Sequence, residues 1–453
     1  MTSAAEHWSG RTGFVLANVA AAVGLGSIWK FPYEVGANGG GAFVVCYVIG
    51  LLVIVFPLML CELAIGRRGR SDAISSVARV ADAAGASRWW ALFALLGVVT
   101  GVLILSFYSV IGGWAIGYLT DTIRHGLPAQ DAANAKIRFD ALLASPGLLL
   151  FYHLTFTAIA VAIVARGVSK GIERASMILM PTLIALIVIL AIYSVVRGGF
   201  WTTWNYLFAF DVATITPKIV LEALGLGFFS IGVGLSILIA YGAYSDRTMN
   251  LHQVAMLTLV SDTAVSVLAA FAIFPIVFAE NLDPSSGPGL VFITLPLAFS
   301  HMPFGTAAAV AFFVLLLVAA IGSAISFIEL AARPLQHVLK CSRTVASIAC
   351  GAASWTLGIA SVLSFNVWSD WFPLGSVGGF SRATWFDLID HLTSNVLLPL
   401  GGLGLALFVG WRVPKDIMAA ELALREAPLA ILYVLLRYVV PVGIATAAVA
   451  IYL

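Results

Sequence analysis

Charge is what this sequence has least of. Of 453 residues only 24 are Lys or Arg and 22 are Asp or Glu, a charged share of 10% beside an apolar share of 61%. A soluble fold of this length needs a polar coat over most of its surface, and so few charges cannot supply one. Water is excluded as the solvent. No polar stretch is long enough to form a separate soluble unit, so one membrane domain is expected over 1–453. Basic blocks and basic helical stripes are missing too, and with a net charge of +2 no nucleic-acid partner is expected. Cysteine is scarce: Cys46, Cys61, Cys341 and Cys350 show neither metal-ligand spacing nor a secreted framework and read as free thiols. The histidines form no His-Glu-x-x-His pattern and no serine sits in a Gly-x-Ser-x-Gly elbow, so no enzyme is expected. No charged n-region leads into a brief apolar stretch at the start, so no signal peptide is expected to be removed.

What the chain has in abundance is long apolar runs. A hydrocarbon core about 30 Å thick takes roughly 20 apolar residues per helix. Eleven such runs lie between the charges and the Gly/Pro clusters: 13–35, 41–66, 89–119, 148–164, 177–196, 219–243, 254–279, 307–330, 345–362, 390–410 and 431–453. The fold class is therefore all-α integral membrane with eleven transmembrane helices. With the N-terminus inside, 17 Lys/Arg fall on the cytoplasmic side and six outside, namely Arg124, Lys136, Arg138, Arg197, Lys218 and Arg382. That bias sets the orientation. A multi-pass protein of the inner (plasma) membrane is expected, its N-terminus cytoplasmic and its C-terminus extracellular or periplasmic.

Function should sit where a membrane rule is broken. The first run carries Ala22-Val23-Gly24-Leu25-Gly26-Ser27, and the sixth carries Ser230-Ile231-Gly232-Val233-Gly234. Small residues at a helix contact explain the first stretch alone equally well. The recurrence five runs later points instead to paired interrupted helices, the sequence mark of an inverted-repeat transporter. An unwound segment at mid-membrane must line a protein-enclosed site, because its backbone groups cannot face lipid. Freed carbonyls suit a small hard cation, and the N-terminal ends of the resumed half-helices suit a carboxylate. An anion-bearing solute coupled to sodium is the chemical inference.

From Glu6-His7-Trp8 through Ala22-Val23-Gly24-Leu25-Gly26, Lys30-Phe31-Pro32 and Asn38-Gly39-Gly40-Gly41-Ala42-Phe43, the chain resembles the neurotransmitter:sodium symporters, specifically their bacterial amino-acid transporters of LeuT type. The likeness continues in Pro57 to Arg67, in Arg166 to Pro181 and in Phe292 to Pro296, read as part of the loop after the seventh span. The resemblance implies a five-plus-five inverted repeat (13–196 and 219–410, with 431–453 as an extra helix) in which helices 1 and 6 are unwound. It implies a first sodium site of the Ala22 carbonyl, Ser27, Ser230 and Asp262, and a second of the Ala20, Val23 and Ala319 carbonyls with the Ser323 hydroxyl. Ser27 and Asp262 stand where asparagine is usual, and Gly322 stands where Thr or Asp is usual. A carboxylate inside a span is costly and normally functional, the other reading being an interface aspartate bonded to Ser or Thr. Asp262 lies one turn before Ser266, where chloride-dependent relatives have a serine beside their anion. It can supply the negative charge itself, so no chloride is expected.

The substrate pocket carried over by resemblance is Ala22, Leu25, Gly26, Ile104, Tyr108, Phe229, Ser230, Gly232, Leu235, Ser323 and Phe327. The Tyr108 hydroxyl and the N–H groups near Leu25 and Gly26 would hold a carboxylate. No ionic side chain stands at the far end, where desolvating an unpartnered charge would cost several kcal/mol, so a neutral, mainly hydrophobic L-amino acid is the expected partner. Leucine-sized and aromatic side chains both stay open. Tyr108 over Phe229 matches an outer aromatic lid, and Lys30 with Asp390 an outer ion pair; for Lys30 a side chain snorkelling to the interface is the rival reading. The inner pair is missing at both ends, since Ala5 and His337 occupy its positions, while Trp8 is expected to plug the cytoplasmic side. Glu62 and Glu329 look like structural carboxylates bonded to backbone. Gly171 and Pro181 mark either a place where the fifth span could unwind or a plain helix start and kink. The expectation is a sodium-coupled symporter importing amino acids by alternating access, with two sodium ions, in a lipid bilayer, as a monomer or weak homodimer. A non-transporting amino-acid sensor or channel-like protein on the same scaffold is the alternative.

Overall fold

The structure is a computed structural model that describes residues 6–127, 132–280 and 289–450, the last four of these in backbone only. All regular structure among the described residues is helical. In chain order the helices are α1 (Arg11–Ala22), α2 (Gly26–Ala37), α3 (Gly41–Gly69), α4 (Ala73–Ala83), α5 (Arg88–His125), α6 (Ala132–Leu143), α7 (Pro146–Val164), α8 (Val168–Arg197) and α9 (Phe200–Phe208). They continue as α10 (Pro217–Ile231), α11 (Ile237–Gly242), α12 (Leu251–Ala279), α13 (Leu290–Ser300), α14 (Gly305–Leu339), α15 (Arg343–Leu363), α16 (Trp385–Arg412), α17 (Lys415–Leu422) and α18 (Glu426–Thr446).

Nine of these, α3, α5, α7, α8, α12, α14, α15, α16 and α18, are long and apolar enough to cross a bilayer. The tenth crossing is the pair α1 and α2, bent by 54°. The sixth expected run, 219–243, is split into α10 and α11 by five residues, and neither piece alone has the length of a span. Ala5 and residues 451–453 of the last expected run lie outside the described residues. The stretch Phe292 to Pro296 is helical within α13 rather than open loop.

The two longest helices form the axis of the bundle. α14 packs along α5, α15 and α7 pack on both of them, and α12 packs on α8. Close approach is bought with glycine at a few points: a Cβ on Gly66 would come within 2.1 Å of the Ile239 carbonyl, so α3 and α11 touch backbone to backbone. The broken helices α1, α2, α10 and α11 are held inside this frame, and most of their residues are buried.

Candidate functional site

α1 ends where Val23 leaves helical geometry at ψ 101°, and the chain resumes in α2 at Gly26. The Val19 carbonyl still takes the N–H of Val23 at 2.7 Å, but the carbonyls of Ala20, Ala21 and Ala22 lose their helical donors. α10 ends at Gly232, whose φ of 74° is left-handed; Gly234 follows at 89° and Ser236 at 68° before α11 begins. Gly234 is confined to glycine twice over, since a Cβ there would also sit 2.6 Å from the Leu398 carbonyl. Glu62, fully buried on α3, accepts from the N–H of Gly234 at 2.8 Å and of Leu238 at 3.1 Å. A carboxylate thus caps the resumed half-helix at its positive end, the backbone bonding expected of Glu62.

The two breaks face each other across one cavity of about 20 Å³. All eleven residues expected to form the substrate pocket line it, together with Ala21, Gly24 and Ile237. Sequence reasoning missed these three, although the breaks themselves pointed at their neighbours. No charged side chain lines this cavity. The Tyr108 hydroxyl accepts the N–H of Leu25 at 3.2 Å, and its ring meets Phe327 edge-on at 5.7 Å. Leu25, Tyr108 and Phe229 also line a second cavity of about 230 Å³ shared with Lys30, Asp387 and Asp390. These three residues therefore form the partition between pocket and vestibule.

Beside the pocket lies a buried polar cluster. Asp262 on α12 is fully buried; its Oδ1 accepts from the hydroxyls of Ser27 at 2.5 Å and Ser230 at 3.0 Å, and its Oδ2 from Tyr47 at 3.1 Å. Ser27 and Ser230, 203 residues apart, are 3.2 Å from one another. Three hydroxyls donate to the carboxylate, yet no Lys, Arg or His pairs with it among the described residues. An isolated buried carboxylate is expensive, so the cluster together with the freed Ala22 carbonyl is a set of oxygens suited to a hard cation. Ser266, one turn on, is buried with a hydroxyl that has no hydrogen-bond partner among the described residues.

The second expected cation site is tighter. Ser323 Oγ lies 3.4 Å from the Ala21 carbonyl, and Ala20, Val23 and Ala319 are all buried around it. At Gly322 a Cβ would come within 2.7 Å of the Ala20 carbonyl, so the missing side chain is filled by close approach of α14 to α1.

The gates are arranged differently from expectation. Lys30 Nζ sits 4.5 Å above the Phe229 ring and makes no ion pair with Asp390, which instead accepts from Ser394 at 2.9 Å. On the opposite side Trp8 is buried against Tyr241 and Tyr244, its Nε1 donating to the Tyr241 carbonyl at 3.0 Å. The absent inner pair has a neighbour that sequence reasoning did not find. Glu6 accepts from Arg333 at 3.2 Å and from Arg343, and Arg343 in turn donates to Glu329. Glu329 also accepts from Tyr244, so it is bonded to side chains, which corrects its reading as a backbone-bonded carboxylate. His337 lies 2.9 Å from Asp72, the N-cap of α4. Burial pushes the Asp72 carboxyl up, but the Ser75 N–H and His337 outweigh it and hold it below its ordinary range. α8 is helical through Gly171 and Pro181 in this conformation.

Comparison with known proteins follows the same lines. The profile of the Sodium:neurotransmitter symporter family matches residues 5–142 and 139–368. A Bacillus subtilis protein described as an uncharacterised sodium-dependent transporter, YhdH, is 36% identical over 97% of this chain and 96% of its own. The sodium-dependent dopamine transporter of Bos taurus is 27% identical over 91% of this chain and 64% of its own. Among solved structures, the crystal structure of MhsT in complex with L-phenylalanine is 39% identical, covers 98% of this chain and 99% of that one, and superposes with a TM-score of 0.89.

Proposed function

The chain belongs to the Sodium:neurotransmitter symporter family, a family of transporters and not of enzymes, and on that premise we propose that it is a sodium-coupled symporter importing neutral, mainly hydrophobic L-amino acids by alternating access. Sodium dependence is the common property of its named relatives. The observation that carries the coupling is Asp262: a buried carboxylate with three hydroxyl donors and no side-chain cation among the described residues, one residue layer from the pocket. A sodium ion bound there neutralises it, and the substrate carboxylate completes the ion's oxygen shell, so neither binds well alone. Because Asp262 is itself an anion, chloride has no task at this site. A second sodium at Ala20, Val23, Ala319 and Ser323 binds more weakly, having one side-chain oxygen in place of two.

The absence of charge around the pocket favours neutral substrates. The phenylalanine bound by MhsT supports large apolar side chains, and Gly232, where even a Cβ would have no neighbour closer than 3.5 Å, leaves room for them. The test is uptake of a panel of labelled amino acids into proteoliposomes with and without an inward sodium gradient. Accumulation of neutral hydrophobic members, driven by sodium alone, is expected. Saturable binding with no accumulation would make the protein a sensor and overturn the proposal.

A further inference from the structure

A second built crevice lies far from the pocket, where the last turns of α5, the helix α6 and the first turns of α7 meet. It encloses about 490 Å³. One wall is apolar, formed by Gly117, Leu142 and Leu148. A Cβ on Gly117 would press the Tyr152 ring at 3.1 Å, so glycine is what lets that ring form the wall. The rim is charged. Asp121 accepts from His125 at 2.7 Å and from Arg138, whose Nη1 also donates to the Gly126 carbonyl at 2.8 Å, and this brace fastens α6 to α5. Arg124 on the same rim is exposed and makes no ion pair among the described residues. Among the described lining residues two arginines therefore face one aspartate, and the net charge of that set is positive.

Two further observations narrow the occupant. Tyr118 lines this crevice, and its hydroxyl, buried behind the crevice wall, has no hydrogen-bond partner among the described residues, so an acceptor is wanted there. Beyond the crevice α7 presents Leu148, Phe151 and Leu154 as exposed side chains on the side facing the bilayer. A free anion would need only the rim. Continuity of a positive rim with an exposed apolar helix face at the end of two spans fits a molecule that has a phosphate at one end and hydrocarbon at the other. We propose that this crevice binds the phosphodiester head group of a membrane phospholipid, with Arg124 and Tyr118 donating to the phosphate and an acyl chain lying along α7. The site rests on the membrane fold and is independent of what is transported.

The test uses the full chain purified in neutral detergent and stripped of lipid. Phosphatidylglycerol or phosphatidylethanolamine is added back, and bound lipid is counted by native mass spectrometry while the thermal midpoint is followed. The expected result is one retained lipid class and a raised midpoint, with Arg124→Gln and Tyr118→Phe each weakening lipid affinity by roughly fivefold and leaving sodium-driven uptake unchanged. Lipid binding by both variants equal to that of the parent overturns the site. An equal rise of the midpoint with soluble glycerophosphate overturns the lipid assignment, since the rim alone would then suffice.

Discussion

The hydroxyl of Tyr108 accepts a hydrogen bond from the backbone N–H of Leu25 at 3.2 Å, across 83 residues of sequence. Both groups are buried at the partition between the pocket and the vestibule, and the pocket beneath them has room for little more than one water. A substrate carboxylate that binds there competes with Tyr108 for the Leu25 N–H and gains the phenol as a donor in exchange. Tyr108→Phe removes that donor and leaves the N–H without its present partner. The Michaelis constant for uptake should rise about tenfold or more, matching the 1–3 kcal/mol of an unmet buried polar group, with the sodium dependence kept. An unchanged constant would remove Tyr108 from the carboxylate site.

Asp262 separates charge from geometry. Asp262→Ser keeps a hydroxyl in the cluster but deletes the only negative charge among Ser27, Tyr47, Ser230 and Ser266. The vacated charge can then be supplied by a small anion beside the unpartnered Ser266 hydroxyl. Uptake by the variant should require chloride, while uptake by the parent should be equal in chloride and gluconate media. Chloride dependence of the parent, measured in the same vesicles, would show that the carboxylate does not stand in for the anion.

At the Trp8 side, where Ala5 and His337 leave the inner pair missing, charges at other positions close the structure. The acid, Glu6, is on the N-terminal segment and the arginines, Arg333 and Arg343, are at the end of α14 and the start of α15. These groups are partly exposed, so each pair contributes about 1 kcal/mol or less. Glu6→Gln should shift the population toward opening on this side by a few-fold. Labelling of a thiol introduced by Ser245→Cys, buried next to Tyr244, should accelerate by the same factor once the four native cysteines are removed.

How far these sites were legible in the sequence varies with the range of the interaction. Gly232 and Gly234 announced a break, because only glycine enters left-handed geometry freely, and the break is there. Ser236 adopts the same geometry without announcing it, since nothing in a lone serine marks strain. The helices α6, α9 and α13 leave no membrane-length apolar run in the sequence, being too short to form one. The cluster of Glu6, Glu329 and Arg343 joins residues up to 337 positions apart. No local pattern encodes such a meeting; it follows from the packing of α14 against both α15 and α1. Ser27, Ser230 and Asp262 were brought together in advance only by the family resemblance.

Lys30 shows how one substitution reshapes a gate. An arginine at this point could fork onto a carboxylate; the ammonium of Lys30 instead rests 4.5 Å over the Phe229 ring and leaves Asp390 to Ser394. Lys30→Met keeps the stem and deletes the cation, so the Phe229 lid loses about 0.5–2 kcal/mol of attraction. Substrate release to the vestibule side should quicken by a few-fold up to roughly thirtyfold in single-turnover dissociation. Asp390→Asn should change it less, because in this closed arrangement the two residues are not paired.

Gly322 is where composition alone misleads. Read as a sequence, it is a lost ligand, and restoring a hydroxyl would be expected to strengthen the second sodium site. The structure gives the glycine a different role: a Cβ at this position would stand 2.7 Å from the Ala20 carbonyl, one of the oxygens that site needs. Gly322→Thr must therefore push α14 away from α1 and displace Ala20 before its hydroxyl can help, and overpacking of this kind costs about 1–3 kcal/mol. The half-saturating sodium concentration should rise, and the thermal midpoint should fall. Ser323→Ala, which only removes the remaining side-chain oxygen, should raise the sodium requirement without the loss of stability. If Gly322→Thr instead lowered the sodium requirement, the close contact would be pliable and the vacancy a true missing ligand.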